Sequence, residues 1–152
     1  MHCNILIAYA SRYQSTKEIA EFIGHQLASH KEFKVTVAEA DSVECLAPYQ
    51  AVIIGSPIYA DDWLPSASEL LMKHERELAH KDLWLFSTGY VEQGVAPHWE
   101  VSDSLKKAVE RLNPVDNVTF AGRFDSDRME LDDWCLHREL RDKHLDQRDW
   151  VR

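Results

Sequence analysis

The stretch ILIAYASRYQST, residues 5–16, joins an apolar run to a cluster of polar side chains. The run Ile5–Ala10 is apolar throughout, which is typical of a β-strand covered on both faces. The segment Thr16–Ser29 then repeats apolar residues at helical spacing. The polar junction therefore lies where a buried strand leads into an amphipathic helix. Its hydroxyl groups either cap that helix or hold an anion such as a phosphate.

The rest of the chain continues to alternate strand and helix signals. Two further continuous apolar runs predict buried strands, at Ala51–Gly55 and Leu83–Phe86. Two runs that alternate apolar with polar residues predict half-exposed strands, at Phe33–Val37 and Asn117–Phe124. Helical spacing predicts three more helices, at Pro65–Ala79, Trp99–Leu112 and Glu130–His144. This alternation indicates an α/β protein with a parallel, doubly wound sheet of five strands.

The burial patterns also predict the order of the strands. Half-exposed strands belong at the edges of a parallel sheet, which places the second and fifth strands outside and predicts the order 2-1-3-4-5, a three-layer sandwich. Ligands of such sheets bind beyond the carboxyl ends of the strands, near the first and third. Three loops meet there: Tyr9–Thr16, Gly55–Trp63 and Ser87–Pro97. A length of 152 residues predicts one domain, 1–152.

Composition argues against several classes of function. A net charge of −9 argues against nucleic acid, because binding phosphate backbones requires a basic face. The three cysteines form no CxxC pair, which predicts reduced thiols in the cytoplasm and neither a disulfide framework nor a zinc site. No apolar run approaches the roughly 20 residues of a transmembrane helix, which leaves only peripheral membrane contact open. Histidine and aspartate spacings predict no metal site.

The first loop has two interpretations. Ser15 and Glu18 have the spacing of a capping box, in which the serine caps the helix and the glutamate bonds back. Alternatively, the loop cradles a phosphate, with backbone N–H groups at the helix start and hydroxyls of Ser11, Ser15 and Thr16 as donors. The glycine-rich GxGxxG and P-loop patterns are both missing.

The other two loops carry aromatic residues. Tyr59 and Trp63 lie in the second loop and Tyr90 in the third. A flat aromatic ring system could lie between these side chains, with backbone groups of residues 58–63 and 88–94 around its edge. Three aromatics at one end of a sheet favour such a ligand over three unrelated packing positions.

Several stretches together resemble the flavodoxin family. The segment Ile5–Ile23 resembles the phosphate-loop signature of flavodoxins, GSPIY (residues 55–59) resembles their second flavin loop, and STG (residues 87–89) resembles the third. The phosphate-loop positions that match are Ser11, Thr16, Ala20 and Ile23. Within the family, SRYQSTKEIAEFI, GSPIYADDWLP and AGRFD most resemble the flavodoxin-like protoporphyrinogen oxidases that use menaquinone.

This resemblance implies an FMN-dependent oxidoreductase in which the flavin carries the chemistry and no side chain serves as a catalytic group. It implies a quinone, porphyrinogen or protein as redox partner; the sequence specifies no oligomeric state. A non-enzymatic flavodoxin electron carrier and a flavin-free interaction module remain as alternatives. The residues expected to bind the cofactor are Ser11, Arg12, Tyr13, Gln14, Ser15, Thr16, Pro57, Ile58, Tyr59, Ala60, Asp61, Asp62, Trp63, Thr88, Gly89, Tyr90 and Gly94.

The sequence departs from the family at two places. Gln14 stands where the family usually has glycine, and Tyr13 where it has threonine. A left-handed backbone at Gln14 would cost about 1–2 kcal/mol, so we expect weaker flavin affinity. At the other end, Arg148–Trp150 resembles the start of the oxidases' terminal helix, although the sequence given stops at Arg152. Either Glu130–His144 covers the sheet or the chain is cut short.

The second loop predicts the number of electrons transferred. Electron carriers of the family commonly have a glycine here, whose peptide bond moves to stabilise the flavin after one electron. The segment Tyr59–Trp63 has no glycine, and residues with a Cβ resist positive φ. The charges of Asp61 and Asp62 would also disfavour an anionic reduced flavin. We therefore expect transfer of two electrons, as in a quinone-linked enzyme.

Overall fold

The computed structural model describes residues 2–12, 14–59, 62–89, 101–121, 123–125 and 144–146 of the chain. Eight strands and four α-helices lie in these residues: β1 Cys3–Tyr9, α1 Ser15–Ala28, β2 Phe33–Glu39, β3 Ala51–Tyr59, β4 Asp62–Trp63, α2 Pro65–Lys73, α3 Glu75–Leu78, β5 Asp82–Gly89, α4 Asp103–Leu112, β6 Asp116–Ala121, β7 Arg123–Asp125 and β8 His144–Asp146.

Five parallel strands form the main sheet, in the order β2-β1-β3-β5-β6. The two-residue strand β4 lies outside this path and pairs antiparallel with β3. When β4 is left out, β5 and β6 are the fourth and fifth strands of the chain, so the observed order is the predicted 2-1-3-4-5. The α/β fold and the strand order inferred from the sequence are therefore confirmed.

The edge strand β2 and the central strand β1 differ in burial as their sequences predict. Strand β2 alternates half-buried with exposed residues over most of its length, whereas β1 is fully buried from Ile5 to Tyr9. An edge strand has a neighbour on only one side, while a central parallel strand is covered on both faces. The continuous apolar run at the start of the chain is therefore the interior of the sheet.

The core has two parts, one on each face of the sheet. Because successive residues of a strand point to opposite faces, Leu6 and Ala8 pack on one side, and Ile7 and Tyr9 on the other. The first part is the larger and includes the buried residues of α2, α3 and α4. The second lies under α1, where Gly24 approaches β2 so closely that an added Cβ would lie 2.6 Å from Val37 Cγ2. Helix α1 is thereby seated directly on the sheet.

The predicted helix Pro65–Ala79 is divided in two. Its predicted inner residues are all buried, which confirms the orientation of the segment: Ala67, Leu71, His74 and Leu78. At His74 the backbone has φ −105° and ψ 20°, so α2 ends and α3 begins there. His74 Nδ1 lies 3.2 Å from Oε1 of Glu77, which is a residue of α3.

The C-terminal predictions are altered or fall outside the described residues. The predicted strand Asn117–Phe124 forms two strands, β6 and β7. Of the predicted helix Glu130–His144, residues 130–143 lie outside the described part, as does Arg148–Trp150. His144 opens β8, which pairs antiparallel with β7, so its assignment to a helix was wrong. Among the described residues, no helix is long and apolar enough to cross a membrane.

Candidate functional site

The carboxyl ends of β1, β3 and β5 lie side by side. In the parallel register Tyr9 is opposite Gly55, and Ser56 is opposite Ser87. A hydrogen bond of 2.9 Å from Ala10 N–H to the Gly55 carbonyl extends the pairing of β1 with β3 by one residue. The three loops predicted to form a site therefore leave the sheet at the same end, where the carboxyl ends of the strands lie.

Gly55 allows the buried Phe86 ring to pack against the backbone near the carboxyl end of β3. A Cβ atom built on Gly55 would lie 2.0 Å from Phe86 Cζ, so the Phe86 ring lies across the glycine backbone. The same ring packs tilted against Phe120, with centroids 6.1 Å apart. Any larger residue at position 55 would force the ring to move. Close packing thus explains the glycine that begins the second loop.

The first loop enters α1 through a left-handed residue. Gln14 has φ 69° and ψ −12°, and its carbonyl accepts the first helical hydrogen bond, from Glu18 N–H at 3.0 Å. Ser15 is consequently the first residue of the helix and not its cap, so the capping-box prediction was wrong. The chain reaches the helix by a sharp turn at Gln14, without the extended backbone that a serine cap requires.

Two polar features of this loop match an anion site. The Ser11 hydroxyl oxygen is buried and has no hydrogen-bond partner among the described residues. Buried polar groups are nearly always bonded, so an orphan of this kind marks a partner supplied from elsewhere. The first-turn N–H groups of α1 also lack helical acceptors, and the helix dipole favours negative charge at this end. Ser11 and the start of α1 therefore fit a phosphate.

The second loop is a tight β-hairpin held by its own polar groups. Tyr59 pairs with Asp62 across the turn. The Ser56 hydroxyl, which is fully buried, accepts from Leu64 N–H and donates to the Pro57 carbonyl, both at 2.9 Å. Sequence patterns missed this hairpin because a two-residue strand has no periodicity to detect. Ser56 was not predicted as a site residue, because its partner Leu64 comes close only once the hairpin has formed.

The Asp62 carboxylate ties the hairpin to the start of α4. Its Oδ1 atom accepts from the backbone N–H of Trp63 at 2.8 Å and of Ser102 at 3.2 Å. Ser102 is the residue that precedes α4. The negative charge of Asp62 is therefore directed at a helix N-terminus, where the dipole stabilises it.

Trp63 lies in the core and not on the loop surface. Only 3% of its surface is exposed, and its indole N–H donates to Ser87 Oγ at 2.8 Å. The sequence predicted that Trp63 would stack on a bound ring. An indole packed in the larger core offers no free face, so the structure supports a different role, that of anchoring the second loop. The half-buried Tyr59 is the aromatic residue of this loop that lies near the edge of the site.

Three acidic residues lie near Tyr9, at the carboxyl end of β1. Burial, and then the nearby charges of Glu39, Glu21 and Asp41, raise the pKa of Tyr9. The Tyr9 phenol therefore stays protonated at neutral pH. The cation that the loop itself supplies is Arg12, whose guanidinium carbon lies 4.8 Å from the centroid of the Tyr59 ring.

Three side-chain contacts join the three loops in pairs: Arg12 with Tyr59, Thr16 with Thr88, and Trp63 with Ser87. These contacts bring together five described members of the predicted site: Arg12, Thr16, Tyr59, Trp63 and Thr88. Five predicted members lie outside the described residues: Tyr13, Ala60, Asp61, Tyr90 and Gly94. Their places in the site stay predictions.

The family is identified by sequence. A family model of the flavodoxin domain matches residues 6–141, which is most of the chain. The protein therefore belongs to the flavodoxin family, a family of flavin-linked redox proteins. No protein of curated function matches the sequence.

Solved structures agree with the fold. A two-electron reduced flavodoxin from Megasphaera elsdenii superposes with a TM-score of 0.62 at 17% identity, over 77% of this chain and 85% of that one. An archaeal flavodoxin superposes with a TM-score of 0.54 at 20% identity, over 82% of this chain and 88% of that one. A flavodiiron protein from Giardia intestinalis superposes with a TM-score of 0.58 at 17% identity, over 84% of this chain but only 33% of the flavodiiron protein. At these identities the similarity shows the fold.

Proposed function

We propose that the protein binds FMN where the three loops meet and takes part in two-electron transfer, with a porphyrinogen as electron donor or a quinone as electron acceptor. The observation that carries this proposal is the buried, unpartnered Ser11 hydroxyl beside the left-handed turn at Gln14, at the start of α1. A phosphate group would supply the missing hydrogen-bond partner. Membership of the flavodoxin family makes FMN the natural source of that phosphate.

In the proposed complex, each loop has a separate task. Ser11, Ser15 and Thr16 bind the phosphate together with the N–H groups of the first helical turn. Tyr59 forms a wall of the ring site, and the backbone of Pro57–Tyr59 and of Thr88–Gly89 lies along its edge. The flavin supplies the electron-transfer chemistry when bound, so no side chain serves as a nucleophile. Further contacts are proposed for Tyr13, Ala60, Asp61, Tyr90 and Gly94.

The hairpin supports transfer of two electrons. The hairpin turn after Tyr59 has no glycine, and its far side is held by the bonds of Asp62 to Trp63 and Ser102. A turn without glycine resists the peptide movement by which carriers stabilise a flavin with one added electron.

A flavodoxin electron carrier is the second candidate. It is favoured by the family match, by the solved flavodoxins of the same fold, and by a net charge of −9, which suits a basic protein partner. A flavin-free interaction module is the third candidate, and the strained Gln14 is the observation that favours it. We place all three in the cytoplasm, where the free thiols of Cys3 and Cys45 would stay reduced.

Comparison of FMN with riboflavin tests the phosphate site. The apoprotein is titrated with each ligand, and flavin fluorescence is followed. Charge-assisted hydrogen bonds contribute about 1.5–3 kcal/mol each, so riboflavin should bind at least about tenfold more weakly. Thr16→Ala should weaken FMN more than riboflavin. Equal affinities for the two ligands would remove the phosphate site, and absence of binding would favour the interaction module.

Stepwise reduction separates the enzyme from the carrier. We expect absorbance of the bound flavin to change in a single two-electron transition, with turnover of menaquinone analogues or protoporphyrinogen. A large one-electron transition without turnover of either substrate would establish the carrier instead. Asp62→Gly is the informative variant, because it frees the hairpin, and it should increase the one-electron fraction.

A further inference from the structure

A pair of buried hydroxyl groups connects the first loop with the third. The Oγ1 atoms of Thr16 and Thr88 lie 2.8 Å apart, although the residues are 72 positions apart in sequence. Thr16 is 1% exposed and Thr88 is 2% exposed, so water does not replace this bond. Thr16 lies in the first turn of α1, and Thr88 is the penultimate residue of β5.

The two hydroxyls have two protons for one hydrogen bond. Each hydroxyl can donate once, and only one of the two protons lies between the oxygens. No other side-chain hydrogen bond of either residue is present in the described part of the chain. One buried proton is therefore left to find an acceptor, and the direction of the Thr16–Thr88 bond decides which residue offers it.

The surroundings favour one direction. If Thr16 donated, the spare proton would remain on Thr88 within the strand, where backbone carbonyls are used by the ladders to β3 and β6. If Thr88 donates, the spare proton remains on Thr16 at the helix start. That end of the helix is the positive end of the helix dipole, where an anion is stabilised.

We propose that Thr88 is a positioning residue for the phosphate site: its hydroxyl donates to Thr16 Oγ1 and thereby turns the Thr16 proton toward a phosphate oxygen. This inference rests on the proposed function and assigns Thr88 to the phosphate half of the site, whereas the sequence assigned it to the ring edge. The Ser11 hydroxyl, which also lacks a partner, is a second donor to the same group.

The contact also couples the two halves of the site. Thr88 pairs with Pro57 in the sheet and immediately precedes Gly89, where the third loop begins. A phosphate held by Thr16 therefore orders the residue from which the third loop departs. Occupation of the phosphate position should in this way strengthen binding of the ring.

The test compares Thr88→Val, which keeps the shape and removes the hydroxyl, with Thr88→Ser, which restores the hydroxyl. Thr119→Val, at a half-buried threonine on β6, is the matched control. FMN affinity should fall about three- to tenfold in the valine variant, as expected for one lost hydrogen bond. Riboflavin affinity should change less than about twofold, and the serine variant and the control should bind both ligands as the parent does.

A second measurement needs no flavin. Inorganic phosphate should raise the unfolding temperature of the parent and of Thr119→Val, and should raise it less in Thr88→Val. Thr88→Ala replaces the valine variant if that variant does not fold.

Equal weakening of FMN and riboflavin by Thr88→Val would show a merely structural role and overturn the proposal. An unchanged FMN affinity would do the same. If Thr16→Val also changes the affinities for FMN and riboflavin by the same factor, the phosphate site itself is wrong, and the proposed function fails with it. Loss of FMN selectivity in Thr16→Val but not in Thr88→Val would refute the role of Thr88 alone.

Discussion

The first loop and the hairpin loop occupy the same edge of the sheet but differ in how completely they satisfy their own backbone and polar groups. The first loop contains a left-handed Gln14 and a buried Ser11 hydroxyl without a partner. In the hairpin, by contrast, Ser56, Asp62 and the Trp63 indole all have hydrogen-bond partners. Among the described residues, the first loop therefore has a left-handed residue and an unsatisfied hydroxyl, whereas these three polar side chains of the hairpin are satisfied.

This difference indicates a division of labour. In the proposed site, the hairpin would form a wall, because the described polar groups that hold it are bonded without a ligand. The first loop retains a cost in the free protein that a bound anion would remove. Strain and unsatisfied groups persist in native proteins chiefly at functional sites, because the surrounding structure holds them in place. The first loop is therefore the part of the site that should respond most to the ligand.

The largest effect is expected from Trp63→Ala, because the indole is buried in the core beneath the hairpin. The free energy of unfolding of the apoprotein should fall by about 3–5 kcal/mol, measured by denaturant titration. Trp84→Ala, at a half-buried tryptophan of β5, is the control and should cost less. If Trp63→Ala lowered the free energy of unfolding by no more than Trp84→Ala does, the role of Trp63 as the anchor of the hairpin would be contradicted.

A smaller loss is expected from Ser87→Ala. Without the hydroxyl, the buried Trp63 indole N–H has no acceptor, which should cost about 1–3 kcal/mol. In a Trp63→Phe background the indole N–H is already gone, so the same Ser87 substitution should cost clearly less. Additive costs in this double-mutant cycle would show that the hydrogen bond between the second and third loops contributes little.

Gln14→Gly should act in the opposite direction and stabilise the protein. Glycine adopts φ 69° without steric cost, so the free energy of unfolding should rise by about 1 kcal/mol. Gln14→Ala keeps a Cβ atom and should bring no such gain. FMN affinity should rise in the glycine variant as well. A destabilised glycine variant would mean that the Gln14 side chain contributes more than its strained backbone costs.

The smallest effect on the free protein is expected from Ser11→Ala. Because the hydroxyl has no partner, the free energy of unfolding should change by less than about 0.5 kcal/mol, while FMN affinity falls. Ser56→Ala is the matched substitution in the other loop. It leaves the Leu64 N–H without its acceptor and should cost about 1–3 kcal/mol. Similar losses for the two serines would erase the contrast between the loops.

The sequence by itself determined the strand order, and from that order it predicts the location of the site. Continuous apolar runs mark central strands and alternating runs mark edges, because coverage on two faces or one is a local property of each segment. The motif at residues 11–16 predicts a phosphate loop after β1. The mismatch at Gln14 could also be foreseen, since a position that favours glycine implies a left-handed backbone.

Tertiary structure alone decided how the loops contact one another. The hydroxyl pair of Thr16 and Thr88 and the bond from Trp63 to Ser87 depend on the register of strands that are distant in sequence. The same register assigned Trp63 to the core, although its loop position suggested an exposed ring. Local patterns encode which segments are buried, but they do not encode which side chains meet, because that depends on how separate segments are packed together.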